Sequence, residues 1–365
     1  MTAVGAIGGG RADVREPVTR LPSPRGPVTE LLFGRLVRPP DGHPLPLDVT
    51  GAELTDSDLQ LALFVCYELH YRGFQDVDDR WEWEPALLAA RAVLERRFEE
   101  ALAPAVPRPA IEEPGRVRRA LNELVAAAED SSLSRFLAQH ADREQFREFV
   151  IHRSIYHLKE GDPHTWAIPR LAGGPKAALV EIQSDEYGGG RRERMHSELF
   201  RATMRGLDLD DSYGAYLGRV PGITLMISNA MSLFGLHRRL RGALVGHLAA
   251  LEMTSSVPNR RYANGLRRLG GDADAVRFYE EHVQADAVHE QIAAHDLCGG
   301  FAAANPSSAG DVLYGAACAL ELERLWAGHV LACWENGITS LAEPLPGSPS
   351  PERYAGDDRR IRARR

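Results

Sequence analysis

The stretch EHVQADAVHE, from Glu281 to Glu290, sets His282, Asp286 and His289 at steps of four and three residues. On a helix turning once per ~3.6 residues these steps return to nearly one face, so two imidazoles and a carboxylate stand side by side. That trio is a ready donor set for a borderline divalent metal such as iron, and ordinary packing has no use for it. A solvated His/Asp stripe with local hydrogen bonds is the competing account, because short motifs also match by chance.

Further ligand-type residues lie upstream. Glu186 and His196 flank the run Gly188 to Gly190 within PKAALVEIQSDEYGGGRRERMHSELFRATMRG. In an unbroken helix their ten-residue separation would mean ~15 Å of rise and different faces. Glycine is where a chain leaves helical geometry at least steric cost, so a break there could fold the two together. A plain loop between independent helices is the alternative. Glu252 sits among His247, Leu248, Leu251 and Met253, company in which an acid needs a partner or the rim. Glu160 ends the helical pattern of DREQFREFVIHRSIYHLKE, where Phe146, Phe149, Ile151, Ile155 and Leu158 suit a buried side and Gly161 to Pro163 stop it.

The elements that must position these residues read as helices throughout. No strand alternation is sustained, and there are no repeats and no phosphate-binding glycine motif. Residues 1–46, rich in Gly, Pro and Arg, are expected to be a disordered N-terminal segment. Residues 47–115 form a helical extension. Its first helix takes Thr55 or Ser57 as cap and Gly73 as stop, and its second starts at Pro85. Tyr67, Tyr71, Phe74, Trp81 and Trp83 crowd the connection as core or subunit contact. A Pro-rich hinge, Ala103 to Gly115, leads to the main domain, 116–345, where NRRYANGLRRLG is a basic turn or short helix and DVLYGAACALELERLWAGHVLACWEN a long closing one. Residues 346–365 read as a flexible basic tail.

Composition narrows the function. With 43 basic and 51 acidic residues the net charge of -8 argues against nucleic-acid backbone binding, and no apolar run is long enough to span a membrane. Cys66, Cys298, Cys318 and Cys333 are scattered without C-x-x-C spacing, as buried thiols in a reducing cytoplasm would be.

Collected, Glu160, Glu186, His196, Glu252, His282, Asp286 and His289 are the inventory of a two-metal carboxylate and histidine site. On DEYGGGRRERMH, the Glu252 segment and EHVQADAVHE, residues from about 131 to 337 resemble the haem-oxygenase-like diiron oxidases and oxygenases. The resemblance implies an all-α, haem-oxygenase-like helical bundle with an N-terminal helical extension. Glu186 and His196 resemble the ligands of one helix, Glu252 the carboxylate of the next, and His282, Asp286 and His289 those of a late helix. Glu160 looks like the additional carboxylate associated with N-oxygenation, a metal ligand with a catalytic part.

The implied cofactors are two iron ions, Fe(II) and Fe(III) in turn, with O2 as co-substrate. By resemblance, O2 forms a peroxo-diferric intermediate that an amine or guanidine nitrogen of an amino-acid-like substrate attacks, and an external electron donor restores Fe(II). Four carboxylates would balance two Fe(II), or two Fe(III) with a peroxide dianion. The segment YELHYRGF resembles a helical dimerisation region, so a homodimer is expected. The N-oxygenating members of matching ligand spacing continue into a cupin domain for which this sequence has no room, so its rearrangement chemistry is expected to be absent. Other members abstract hydrogen and cleave C–C bonds or decarboxylate, and the wider fold includes metal-free helical binding proteins; both stay open.

His157, three residues before Glu160, is a packing histidine that could reach that carboxylate. His152, His164, His247 and His295 read as packing residues. Arg191, Arg192, Arg194, Arg260 and Arg261 read mostly as a solvated face, one of which could clamp a substrate carboxylate. Tyr187 and Trp166 could border the cavity.

Overall fold

Apolar residues recurring at helical spacing give a chain that, in this computed structural model, contains no strand among the described residues, 19–109, 113–128 and 132–345. The side chains of residues 285–287 also lie outside that description. The first helices are α1 (Pro27–Leu36), α2 (Ser57–Glu68), α3 (Pro85–Leu102), α4 (Val117–Ala127) and α5 (Ser132–Gln139). Those that frame the site are α6 (Arg143–His157), the one-turn α7 (Asp162–Thr165), α8 (Gly173–Glu186), α9 (His196–Gly206) and α10 (Gly222–Leu236). Then come α11 (Arg241–Thr254), α12 (Ser256–Arg268), α13 (Ala273–Gln291), a π-helical stretch Ile292–Gly299, α14 (Gly300–Ala304) and α15 (Ala309–Glu335).

Local chemistry sets the starts. Asp142 caps α6 in a capping box with Gln145, Asp272 caps α13, and Pro85 opens α3. The cap of α2 is Asp56, which accepts from the backbone N–H groups of Asp58 and Leu59, so neither Thr55 nor Ser57 serves. The expected basic turn before α13 is the full helix α12. Helices α11 and α15 cross closely enough that a Cβ on Gly246 or Gly315 would lie 1.8 Å from a backbone oxygen of the other helix. That contact fixes the helix carrying Glu252.

The expectation of disorder over 1–46 is corrected in its second half, while residues 1–18 lie outside the described part. Helix α1 has Pro27 in its first turn and buries Val28, Leu32, Phe33 and Leu36 along one side. That stripe outweighs the Gly/Pro-rich composition around it. The 47–115 segment does not stand apart either. One hydrophobic core runs from Val28 to Leu345, and α2 packs on α10, where Asn229 donates to both the backbone and side-chain oxygens of Gln60. Within YELHYRGF, Tyr67, Glu68, Leu69, His70 and Phe74 are buried in their own protomer, which gives the segment an intrachain role. The tail, 346–365, lies outside the described residues.

Candidate metal centre

Two helix breaks build one side of the centre. After α6 ends, the chain turns through Leu158 and Lys159 to Glu160 and reverses at Gly161, whose φ is 88°. A Cβ there would sit 3.2 Å from Glu186 Cβ and 3.3 Å from the Tyr187 ring, so glycine brings Glu160 and Glu186 together. The second break follows Glu186, with φ of 64°, 59° and 77° at Gly188, Gly189 and Gly190. A Cβ on Gly188 would lie 2.6 Å from the backbone of Arg194 and of Met195. The chain therefore folds back, and His196 at the start of α9 places Nδ1 3.0 Å from Glu186 Oε2. Ten residues that would separate the two in a straight helix bring them into contact.

Straight helices supply the other side. His282 on α13 hydrogen-bonds through Nδ1 to the Phe278 carbonyl, 2.8 Å away, and turns Nε2 toward Glu160 Oε1 at 3.6 Å. A carbonyl that takes one ring N–H leaves the other nitrogen as the lone-pair side, as metal-ligating histidines require. Donor atoms of Glu160, His196 and His282 all lie within 4.8 Å of one another. Two donors bonded to one metal at about 2.0–2.2 Å lie at most about 4.4 Å apart, so a small contraction of this group would meet that spacing. Two turns further on, His289 Nδ1 faces Glu252 Oε2 at 3.3 Å, and its Nε2 meets Asp185 Oδ2 at 2.9 Å. Asp286 lies between these histidines on α13, and its side chain is outside the described residues.

The buried polar atoms test whether a metal fits. Glu160 Oε2, Glu186 Oε2 and His196 Nδ1 are buried without a hydrogen-bond partner. Glu186 Oε2 and His196 Nδ1 lie 3.0 Å apart without hydrogen-bond alignment. Buried groups of this kind are costly unless something binds them. The ion-pair partners of Glu160 and Glu186, among the described residues, are imidazoles alone. With no lysine or arginine to offset them, these carboxylates suit a cation with oxygen and nitrogen ligands, and the donor set fits iron.

Electrostatics agree. Burial alone would raise the Glu160 carboxyl, but the imidazoles of His157 and His282 hold it well below the usual carboxylate range. Burial would lower His196, yet Glu186 raises it; His289, likewise opposed by burial, is raised to about 9 by Glu252 and Asp185. Burial, then the carboxylates Glu160, Glu186 and Glu252, push the Tyr156 phenol up, which keeps its hydroxyl protonated.

Six of the seven expected ligands thus have described side chains, and these fall into two adjoining groups that share α8 and α13. His157, read from the sequence as a packing histidine that could reach Glu160, does reach it, and two contributors, Asp185 and Tyr156, escaped the sequence reading. His157 Nδ1 donates to Glu160 Oε1 at 2.8 Å, a bond signalled only by its three-residue spacing. Asp185, beside Glu186, orients His289, and Tyr156, whose ring packs on His157, feels the charge of the carboxylates. His152 is a packing histidine bonded to Thr224 and Ser340, and burial lowers it to about 3. His164 and His247 form a buried pair at 3.3 Å, and His295 is exposed beside Asp296. Arg192 and Arg194 pair with Glu198 and Glu281 on the outer face. Cys66, Cys298 and Cys318 are buried free thiols and Cys333 is half-buried.

A cleft of about 430 Å³ beside the Glu160 turn is lined by Tyr71, Arg72, Asp162, Thr165, Trp166, Pro169 and Tyr187. The larger cleft, about 790 Å³ between α4, α8 and the π-helical stretch, is lined by none of the seven expected ligands. No helix among the described residues is long and apolar enough to cross a membrane.

Residues 147–324 match the family described as iron-containing redox enzyme. The chain is also similar to the nitrosourea synthase of Streptomyces achromogenes subsp. streptozoticus, 25% identical over 172 residues, or 47% of this chain and 36% of that protein. It therefore spans little more than a third of that relative's length.

Proposed function

On the match of residues 147–324 to the family described as iron-containing redox enzyme, we propose that the chain is an oxidoreductase and, more finely, a nonhaem diiron N-oxygenase. It acts on an amine or guanidine nitrogen of an amino-acid-like substrate. The observation that carries this reading is Glu160, a buried fourth carboxylate whose Oε2 has no hydrogen-bond partner and which converges with His196 and His282. Glu160, Glu186, His196, Glu252, His282 and His289, with Asp286, would hold two irons, which supply O2 activation when bound.

The chain's own groups do the rest. His157 keeps Glu160 ionised and aimed, and Asp185 and the Phe278 carbonyl orient His289 and His282. The 430 Å³ cleft has aromatic walls and opposite charges in Arg72 and Asp162, which suits an amino-acid zwitterion. The nitrosourea synthase likeness supports nitrogen as the atom oxidised. An external electron donor, a homodimeric assembly and a reducing cytoplasm complete the proposal.

Anaerobic Fe(II) loading followed by O2 mixing across a panel of amino acids, amines and guanidines tests it, with products read by mass. The proposal expects a gain of oxygen on nitrogen in one substrate class. Loss of carbon dioxide or of a fragment would instead assign C–H abstraction with C–C cleavage, and absence of stoichiometric iron would leave a metal-free binding protein.

A further inference from the structure

Lys159, immediately before Glu160, sends its ammonium away from the centre to Glu68 of α2, at 3.0 Å. Both side chains are 1% exposed. Glu68 is fully occupied: the Tyr213 hydroxyl lies 2.7 and 2.8 Å from its two oxygens, and the Arg72 backbone N–H donates to Oε1. The ammonium also lies over the rings of Phe64 and Tyr71, at 4.7 and 4.3 Å. On the far side of the turn, the Gly161 carbonyl accepts from Gln183 Nε2 at 2.6 Å and from Thr165 Oγ1 at 3.1 Å. The turn that carries Glu160 is held along its backbone by three-residue bonds, from Lys159 to Tyr156, Glu160 to His157 and Asp162 to Lys159, and is gripped by side chains from both sides.

A buried ion pair is an expensive way to hold two elements together, since apolar residues of similar volume serve stability as well or better. What it adds is position: a short, directional contact between two chosen atoms. Glu68 lies outside the matched region 147–324. We propose that the Lys159–Glu68 ion pair is a positioning clamp, through which helix α2 fixes the Glu160 turn and sets where its carboxylate meets a metal. This rests on reading Glu160 as a metal ligand. The N-terminal segment then belongs to the active site.

The test uses full-length protein with Co(II) as the metal probe, and a second readout that needs no metal. In Glu68→Leu/Lys159→Met, which keeps volume and removes both charges, hydrogen exchange of metal-free backbone amides from 156 to 163 should quicken about 10-fold or more. Co(II) affinity should fall about 10- to 100-fold, the range seen when groups behind a ligand are removed. Lys159→Arg should restore most of both. Tyr213→Phe, which deletes one hydroxyl from Glu68, should move both readouts in the same direction by a smaller factor and serves if the double variant does not fold. Unchanged exchange in whichever variant folds would overturn the clamp. If the unaltered protein takes up no Co(II), the metal reading fails while the exchange arm still decides whether α2 holds the turn.

Discussion

The two sides of the centre are built by opposite means. Glu160 and Glu186 stand where helices stop and His196 where one starts, and glycine conformations and a gripped turn bring them together. Glu252, His282 and His289 stand inside α11 and α13, where the helical ladder and core packing place them. The broken side can bring residues distant in sequence into contact, at the cost of reserving glycine at its positive-φ positions. The continuous side is cheap and rigid, but along one helix it joins only residues a turn or two apart. A centre needing carboxylates and imidazoles from four helices uses both.

Substitutions at the breaks should separate the two sides most sharply. Gly188→Val should cost about 3 kcal/mol or more, because it adds a β-branched side chain at positive φ against the backbone of Arg194 and Met195. Metal uptake should be lost with it. Gly190→Ala, at φ 77° with open space around it, should cost only about 1–2 kcal/mol. Denaturant unfolding and Fe(II) titration read both. Equal costs would mean that the close approach at Gly188 does not shape the site.

On the continuous side, His282→Ala should leave the fold nearly intact and abolish tight uptake at the position shared with Glu160 and His196. Iron per chain would drop from two toward one. A full complement of iron would remove His282 from the ligand set.

Histidines outside and inside the centre should respond oppositely to pH in the metal-free protein. His152, held neutral by burial with a folded value of about 3, contributes stability that is complete above ~6.5 and is lost as pH falls below it. His289, raised to about 9, contributes stability complete below ~6.5 and lost as pH rises through its folded value. Between pH 6.5 and 4.5, His152→Gln should flatten the fall in unfolding free energy by about 1.4 kcal/mol per pH unit. An unchanged slope would place the proton uptake elsewhere.

The smallest expected effect lies behind the ligands. Asp185→Asn should weaken metal binding about 10- to 100-fold while thermal stability moves by a few degrees at most. No change in affinity would make the Asp185 contact with His289 incidental.

This division also explains what the sequence makes legible. The spacing of His282 and His289 is visible because a helix maps steps of three and four onto one face. Glu186 and His196 are visible as a pair only through the glycines between them, and Glu160 through resemblance, since no period leads to a residue in a turn. Asp185, Tyr156 and the Lys159–Glu68 pair depend on which helices become neighbours, and that is decided by the whole core. Helix α1 was readable: PVTELLFGRL carries its proline at the first turn and a helical stripe in Val28, Leu32 and Leu36, which the composition of its surroundings obscured.

The central claim is that seven side chains distant along the chain hold two irons together. Anomalous diffraction at the iron edge, from crystals loaded anaerobically with Fe(II), tests it directly. The account predicts two peaks about 3.5–4 Å apart, enclosed by Glu160, Glu186, His196, Glu252, Asp286, His282 and His289. Iron elsewhere, or none among these residues in fully loaded protein, would contradict it.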